Sequence, residues 1–416
     1  MGRHDSAIAA QRQRSVQLCP PLRMRAPNGM GIGAPVSAIV HLLALGPFVR
    51  SSAQIPQAAG HGSCQRSPFK RFTGWLAVIH NRQLFSSPAS SDSLVARRLP
   101  VSPVSSVLAA PRRAYSLSEA FGYCERMVQT RHDSLPVASR YLPESKRPHV
   151  FAVYAFARAA DDFADEPEFQ GQRQTALSDW EDELIRTFHG ESDHPIFSAL
   201  QHTIEQCDLP ITLFQDLLSG FRMDLAPRTF TTFEELRTYI RYVSEPLGEL
   251  IVRVFGCRQP ATLAFARDLS AGWQLVSFLQ NLGRDLPLGR LYVPLEDLRH
   301  FGVLPEGTRT APASAHLLGA SSRSWRDLLR FQVARARTLL ERGRPLLDLV
   351  AGELRFELLL TYYSGQVLLD RIESLGDDVL RERPLLSRTD RARVLARAAA
   401  KQVPQLYFRR SEDLVE

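Results

Sequence analysis

The chain has 416 residues, of which 44% are hydrophobic, enough to bury a sizeable core in one large domain or two ordinary ones. Its net charge of +7 is unevenly placed: residues 1–113 hold 14 Lys and Arg against Asp5 and Asp92 alone, whereas residues 114–416 hold 37 basic and 42 acidic residues. A mildly acidic body argues against a nucleic-acid-binding face, which would be basic. The five scattered cysteines lack any CxxC pair and fit reduced, structural thiols in a cytosolic protein.

Residues 1–112 are rich in Arg, Ser, Pro, Ala and Gly and lack the amphipathic repeat that a packed domain needs. Three readings stay open for them: a disordered or upstream extension, an organellar transit peptide, and a small regulatory domain. Their longest apolar run, Pro35–Val49, is too short to span a bilayer. From Tyr115 the texture becomes helical. Ser116 and Glu119 have capping-box spacing at the head of a helix over 116–127. A loop over 130–136 precedes a helix over 148–166, which Pro167 ends. Helical spacing continues over 170–189, 195–207, 210–224 and from Thr231 toward Tyr242. A Pro246–Gly248 break precedes an apolar helix to Phe255, and a long helix covers 261–285. After an irregular stretch over 302–322, the pattern predicts two long helices, 324–350 and 352–374, and a short one near 387–402. Period-2 alternation is scarce. The expectation is a leader over 1–112, a single all-α domain over 113–402 and a tail over 403–416.

Two polar sets interrupt these apolar helices. The first is Val153-Tyr-Ala-Phe-Ala-Arg-Ala-Ala-Asp-Asp-Phe-Ala-Asp-Glu166. Asp161 and Asp165 stack one turn apart with Asp162 beside them, and Arg158 and Tyr154 lie one and two turns earlier. Crowded carboxylates repel unless a divalent cation sits among them, and Mg²⁺ commonly joins carboxylates to a substrate's phosphates. Taken alone, this motif is better explained as a solvated acidic helix end, and it is the second polar set that turns the balance. The second set is Gln274-Leu-Val-Ser-Phe-Leu-Gln-Asn-Leu-Gly-Arg-Asp285, in which Ser277, Asn281 and Asp285 form an oxygen-bearing stripe with Gln274 a turn earlier. Two such sets on helices with hydrophobic flanks favour a hard-cation site. Just beyond, Arg290 is suited to grip a diphosphate bidentately, with Tyr292 pointing outward beside it from a turn.

These stretches resemble the head-to-head prenyl synthase family, which joins squalene and phytoene synthases. Phe221-Arg-Met-Asp-Leu225, Tyr239-Ile-Arg-Tyr-Val-Ser-Glu-Pro-Leu-Gly248 and Gly289-Arg-Leu-Tyr-Val-Pro-Leu-Glu-Asp-Leu298 support the likeness, which runs from about Ser116 to about Arg393 in the family's order. Leu135-Pro-Val-Ala-Ser139, Leu368-Leu-Asp-Arg-Ile-Glu373 and Arg383-Pro-Leu-Leu-Ser387 are most similar to the bacterial hydroxysqualene synthase branch of hopanoid biosynthesis. The resemblance implies an isoprenoid-synthase-type helical bundle with a central cavity. It implies conversion of presqualene diphosphate and water to hydroxysqualene and diphosphate. The alternatives are a squalene or phytoene synthase that condenses two prenyl diphosphates, such as farnesyl diphosphate, and a non-catalytic relative acting as an assembly factor.

The resemblance assigns Mg²⁺ to Asp161, Asp162, Asp165, Ser277, Asn281 and Asp285. It assigns catalysis to Tyr154, Arg158, Asp161, Asp165 and Asp285, and substrate contact to Arg131, Ser134, Arg158, Gln274, Arg290 and Tyr292. Three positions depart from the family pattern. Ser277 and Asn281 stand where the family usually has Asn and Asp, which removes one formal charge from the cage, and Arg131 stands where it commonly has His. Asp224 and Tyr242 are polar residues in apolar helices, open either to placing a water or to a structural hydrogen bond. The expected setting is cytoplasmic, with peripheral contact at the inner membrane and organellar targeting by the leader left open. The expected protein is a monomer or weak dimer.

Overall fold

The computed structural model describes residue 110 and residues 112–130, 142–226, 229–305 and 322–412. The expected loop over 130–136, and with it Arg131 and Ser134, falls outside the described residues beyond Thr130, as do the leader through 109 and most of 302–322. The described residues are all-α; their only extended pairing is an isolated bridge between Thr229 and Leu291.

The helices are α1 (Leu117–Thr130), α2 (Arg147–Asp165), α3 (Arg173–Phe188), α4 (Pro195–Cys207), α5 (Ile211–Met223), α6 (Phe233–Val243) and α7 (Glu245–Val254). They continue with α8 (Pro260–Asp285), α9 (Leu295–His300), α10 (Ser322–Gly343), α11 (Leu346–Leu349), α12 (Gly352–Leu375) and α13 (Arg388–Glu412). Capping follows the sequence signals. Ser116 and Glu119 bond reciprocally, Ser116 N to Glu119 Oε2 at 3.0 Å and Glu119 N to Ser116 Oγ at 3.3 Å. Thr232 accepts from Glu235 N at 3.3 Å to open α6.

Three expectations need correction. Pro246-Leu-Gly248 is no break, because Pro246 sits in the first turn of α7, where its missing N–H has no helical partner to lose. The helix expected over 324–350 stops at Gly343, since Pro345 cannot continue the ladder, and restarts as α11. The final helix runs on to Glu412, past 402.

Two packing groups meet around α7, which touches both α2 and α8. In the first group α2 is buried nearly all round, its alanines letting α1, α4 and α5 approach closely. The face opposite its polar residues carries Phe156 and Phe163. Phe156 meets Phe214 edge-on at 5.3 Å, and Trp180 lies 5.2 Å from Phe163 and donates Nε1–H to Phe156 O at 3.3 Å. In the second group α8 packs along α10 and α12, and Trp273 donates to Thr361 O at 3.0 Å. Neither helix can slide, so the ends of α2 and α8 are set by these buried faces.

Gly283 marks how tightly the end of α8 is held. A Cβ there would overlap the backbone carbonyl of Leu380 in the turn after α12. A backbone atom cannot rotate aside, so Gly283→Ala must shift the turn, at about 1–3 kcal/mol. We expect G283A to unfold several degrees below wild type in a thermal melt followed by circular dichroism; an unchanged midpoint would show that the turn yields freely.

Candidate active site

Both acidic sets occupy the last turns of their helices: Asp161, Asp162 and Asp165 end α2, and Asp285 ends α8. A helix C-terminus is already the negative end of the backbone dipole, so each carboxylate there is disfavoured unless a cation answers it. All four are buried. The reading of either set as a solvated surface stripe is therefore excluded, and Gln274, Ser277 and Asn281 are buried with them.

Two arginines answer the charge. Arg158, one turn earlier on α2, reaches Asp161 at 3.2 Å and Asp162 at 2.5 Å. Arg290 donates to Asp165 Oδ1 at 2.8 Å, while its backbone N–H donates to Asp285 O at 3.0 Å. Arg290 thus joins the two helix ends. Gly289, at φ +72°, makes the turn that brings it there. Burial works against the charge of both guanidiniums, but the facing aspartates more than offset it and hold them cationic.

The carboxylates remain strained electrostatically. Burial drives Asp161 well above the usual range; Arg158 opposes this, and Asp165, Asp162 and Asp224 reinforce it. Burial likewise pushes Asp285 up to about 7, against Arg290, Arg284 and Arg383, with Asp165 adding to the rise. Arg290, bonded to Asp165 by its side chain and to the Asp285 carbonyl by its backbone, brings the ends of the two sets together.

An aromatic wall adjoins them. Phe278, between Gln274 and Asn281 on α8, stacks on Tyr292 with ring centroids 3.9 Å apart, and Tyr239 stacks on Tyr292 at 5.9 Å. Tyr292 therefore faces inward, not outward as expected. The segment that carries it is pinned to the start of α6 by Leu295 N to Phe230 O at 2.9 Å and Glu296 N to Thr231 O at 3.0 Å. Tyr239 donates to Asp224 Oδ1 at 2.5 Å. Burial, and Asp224 after it, raise both phenols, which keep their protons at neutral pH.

The expected residues divide accordingly. Arg158, Asp161, Asp162, Asp165, Asp285, Arg290 and Tyr292 come together. Tyr154 is buried on the same face of α2, within electrostatic reach of Arg158. Asn281 donates to Ser277 Oγ at 3.3 Å. Asp224 belongs to the wall through its bond from Tyr239, and Tyr242 is half-buried. Tyr239, Phe278, Arg284 and Arg383 were not singled out. Tyr239 stood within a quoted stretch as an ordinary aromatic, and Arg383 reaches the end of α8 from far along the chain, where no local spacing announces it.

The donor set suits a hard cation. Asp161 Oδ1, Asp165 Oδ2 and Asp285 Oδ2 are buried with no hydrogen-bond partner, and buried acceptors of this kind are costly unless something binds them. Among the described residues no three carboxylate, imidazole or thiol groups already converge on one point, and the arginines hold one oxygen each of Asp161 and Asp165.

The raised Asp285 makes the folded, metal-free protein bind more protons than the unfolded chain as pH rises from about 4 to about 7. Its contribution therefore favours folding at low pH and is lost as pH rises through about 7. In chelator, wild-type stability should fall over that window more than that of Asp285→Asn, read as denaturation midpoints against pH; parallel curves would contradict the assignment.

The squalene/phytoene synthase model matches residues 128–390. The phytoene synthase of Arthrospira platensis is 29% identical over 283 residues, 64% of this chain and 88% of that protein. The 15-cis-phytoene synthase of Synechococcus elongatus is 29% identical over 288 residues, 66% of this chain and 91% of that protein. The squalene synthase HpnC from Alicyclobacillus acidocaldarius superposes with a TM-score of 0.58 at 35% identity, over 62% of this chain and 95% of its own. A dehydrosqualene synthase superposes with the same TM-score of 0.58 at 23% identity, over 68% of this chain and 97% of its own, and shows the shared fold. With its helices, its paired acidic termini and the matched span in agreement, the chain belongs to the squalene/phytoene synthase family.

Proposed function

We propose that the protein converts presqualene diphosphate and water to hydroxysqualene and diphosphate. Members of its family are synthases acting on prenyl diphosphates. The observation that carries the reading is the meeting of two acidic helix ends, with buried unpartnered oxygens and two arginines, beside an aromatic wall. The identity of 35% to a squalene synthase supports squalene-side over phytoene-side chemistry.

Arg158 and Arg290 bind the diphosphate and answer the negative charge that grows on it as the carbon–oxygen bond breaks. Asp162 orients Arg158. Mg²⁺, when held by Asp161, Asp165 and Asp285 with Asn281 and Ser277 as neutral donors, would supply Lewis-acid stabilisation of the same leaving group. Phe278, Tyr292 and Tyr239 shed water from the carbocation and offer it their ring faces. Gln274 supports capture by water. Its amide is fully buried, and neither polar atom has a hydrogen-bond partner, so it can hold one water in an otherwise apolar wall. The attacking water forms the new C–O bond and its proton passes to the released diphosphate.

The second reading, condensation of two prenyl diphosphates, rests on the phytoene synthase relatives. Incubation with farnesyl diphosphate alone separates the two: the proposed enzyme leaves it untouched while consuming presqualene diphosphate, and consumption of farnesyl diphosphate would establish the condensation. Asp161→Asn should lower turnover roughly a hundredfold or more with an unchanged circular dichroism spectrum; wild-type activity in this variant would refute the role of Asp161. Asn281→Asp restores a carboxylate and should lower the Mg²⁺ concentration for half-maximal rate, whereas an unmoved titration would remove Asn281 from the donor set.

A further inference from the structure

Two buried polar groups on α12 lie outside the acidic site. Ser364 is fully buried, and its Oγ has no hydrogen-bond partner. A helical serine can turn its hydroxyl onto the carbonyl four residues back, as Ser219 and Ser244 do at 2.9 and 3.3 Å. Ser364 makes no such bond. Glu357, two turns earlier on the same face, is buried with its Oε1 unpartnered. Burial alone pushes its carboxyl well above the usual range and keeps it protonated at neutral pH. Each such group is costly unless something binds it.

The contacts of α12 fix which way this face looks. Tyr362 donates to Glu341, and Arg337 donates to Gln366 Oε1 and Asp370 Oδ1, both at 3.0 Å, so residues 362, 366 and 370 face α10. Thr361, whose carbonyl accepts from Trp273, and Gly365, which abuts the same indole, face α8. Tyr363 lies under Arg397, and Arg371 donates to Asp390, so these two face α13. Glu357, Ser364 and Leu368 fill the remaining sector, between α8 and α13 and on the side away from α10. All three are buried there.

The order repeats on α8. Gly272 abuts Leu340 of α10, Trp273 faces α12, and the next sector round carries Gln274, Ser277 and Asn281. Trp273 meets Thr361 and Gly365 while Gly283 meets Leu380 after α12, so α8 and α12 run in the same direction. Both sectors therefore lie on one side of the pair. Ser364 stands level with Gln274 across one space, and Glu357 lies two turns further from the acidic helix ends. Gln274 is itself fully buried with both amide atoms unpartnered.

Given the proposed conversion to hydroxysqualene, on which this rests, we infer that Gln274 and Ser364 jointly bind the water that captures the carbocation, with Glu357 holding a second water behind it. Gln274 Oε1 accepts one proton of the water and Ser364 Oγ the other, which leaves an oxygen lone pair free toward the cation. That pair forms the C–O bond, and the proton released passes to diphosphate. A cation that meets no water discharges differently: a neighbouring C–H bond breaks, its electron pair becomes a new double bond, and diphosphate takes the proton. Ser364 thus selects alcohol over hydrocarbon.

A high-resolution crystal structure of the unliganded full chain tests the site without reading turnover. One ordered water should lie about 3 Å from both Gln274 Oε1 and Ser364 Oγ, and another about 3 Å from Glu357 Oε1. Ser364→Ala should lose the first and keep the second. With presqualene diphosphate, the ratio of alcohol to hydrocarbon should fall at least about fivefold in S364A, and further in S364V, whose methyl groups fill the water's place. If S364V melts early, S364A decides. Dry packing at Ser364 or at Glu357, or an unchanged product ratio in S364A, would overturn the inference. If the wild type forms no alcohol from presqualene diphosphate, the proposed reaction falls instead, and the water site stands or falls on the crystallographic result.

Discussion

Arg290 is the hinge of the electrostatics. It meets Asp165 at the end of α2 with its side chain and Asp285 at the end of α8 with its backbone. Two helix termini of like polarity, each bearing buried carboxylates, would otherwise repel at short range in a medium that screens poorly. Arg158 does the same for the other half of the α2 set. The site is therefore built from charges the fold would avoid on stability grounds alone, and such an arrangement is characteristic of functional sites.

The rest of the molecule holds these charges in place. The aromatic cluster of Phe156, Phe163 and Trp180 fixes the rotation of α2, so that its polar stripe has only one side to face. The packing of α8 along α10 and α12 does likewise, and α7 couples the two groups. Tyr292 and Arg290 lie close together on a segment pinned at both ends, by Asp285 and by the start of α6. The aromatic wall and the cation that faces the carboxylates are thus set by one stretch of backbone.

Much of this was legible in the chain. Four-residue spacing placed Asp161 over Asp165, and Ser277, Asn281 and Asp285 in one stripe, because helical period alone fixes which side chains share a face. Capping at Ser116 and Thr232 was equally local. The failures have a common cause. Which way Tyr292 points depends on a bridge between Thr229 and Leu291, and the reach of Arg383 depends on the course of the segment after α12. Neither is written in the spacing of nearby residues. Pro246 was read as a break because proline ends helices more conspicuously than it begins them, although its place at the start of α7 obeys the same steric rule. Asp162 shares Arg158 with Asp161, an ion pair that helical spacing permits but does not announce.

The ion pairs that close the resting site carry a consequence for traffic through it. Any visitor must outbid the contacts that Arg158 and Arg290 already make with aspartates. A neutral alcohol or hydrocarbon has nothing to offer either partner, whereas a diphosphate accompanied by a cation offers each a replacement at once. Under the proposed reaction, departure of the anion would let the internal pairs re-form, leaving no charged group to hold the uncharged product. Discrimination at entry and dismissal at exit would then be one and the same property of five side chains.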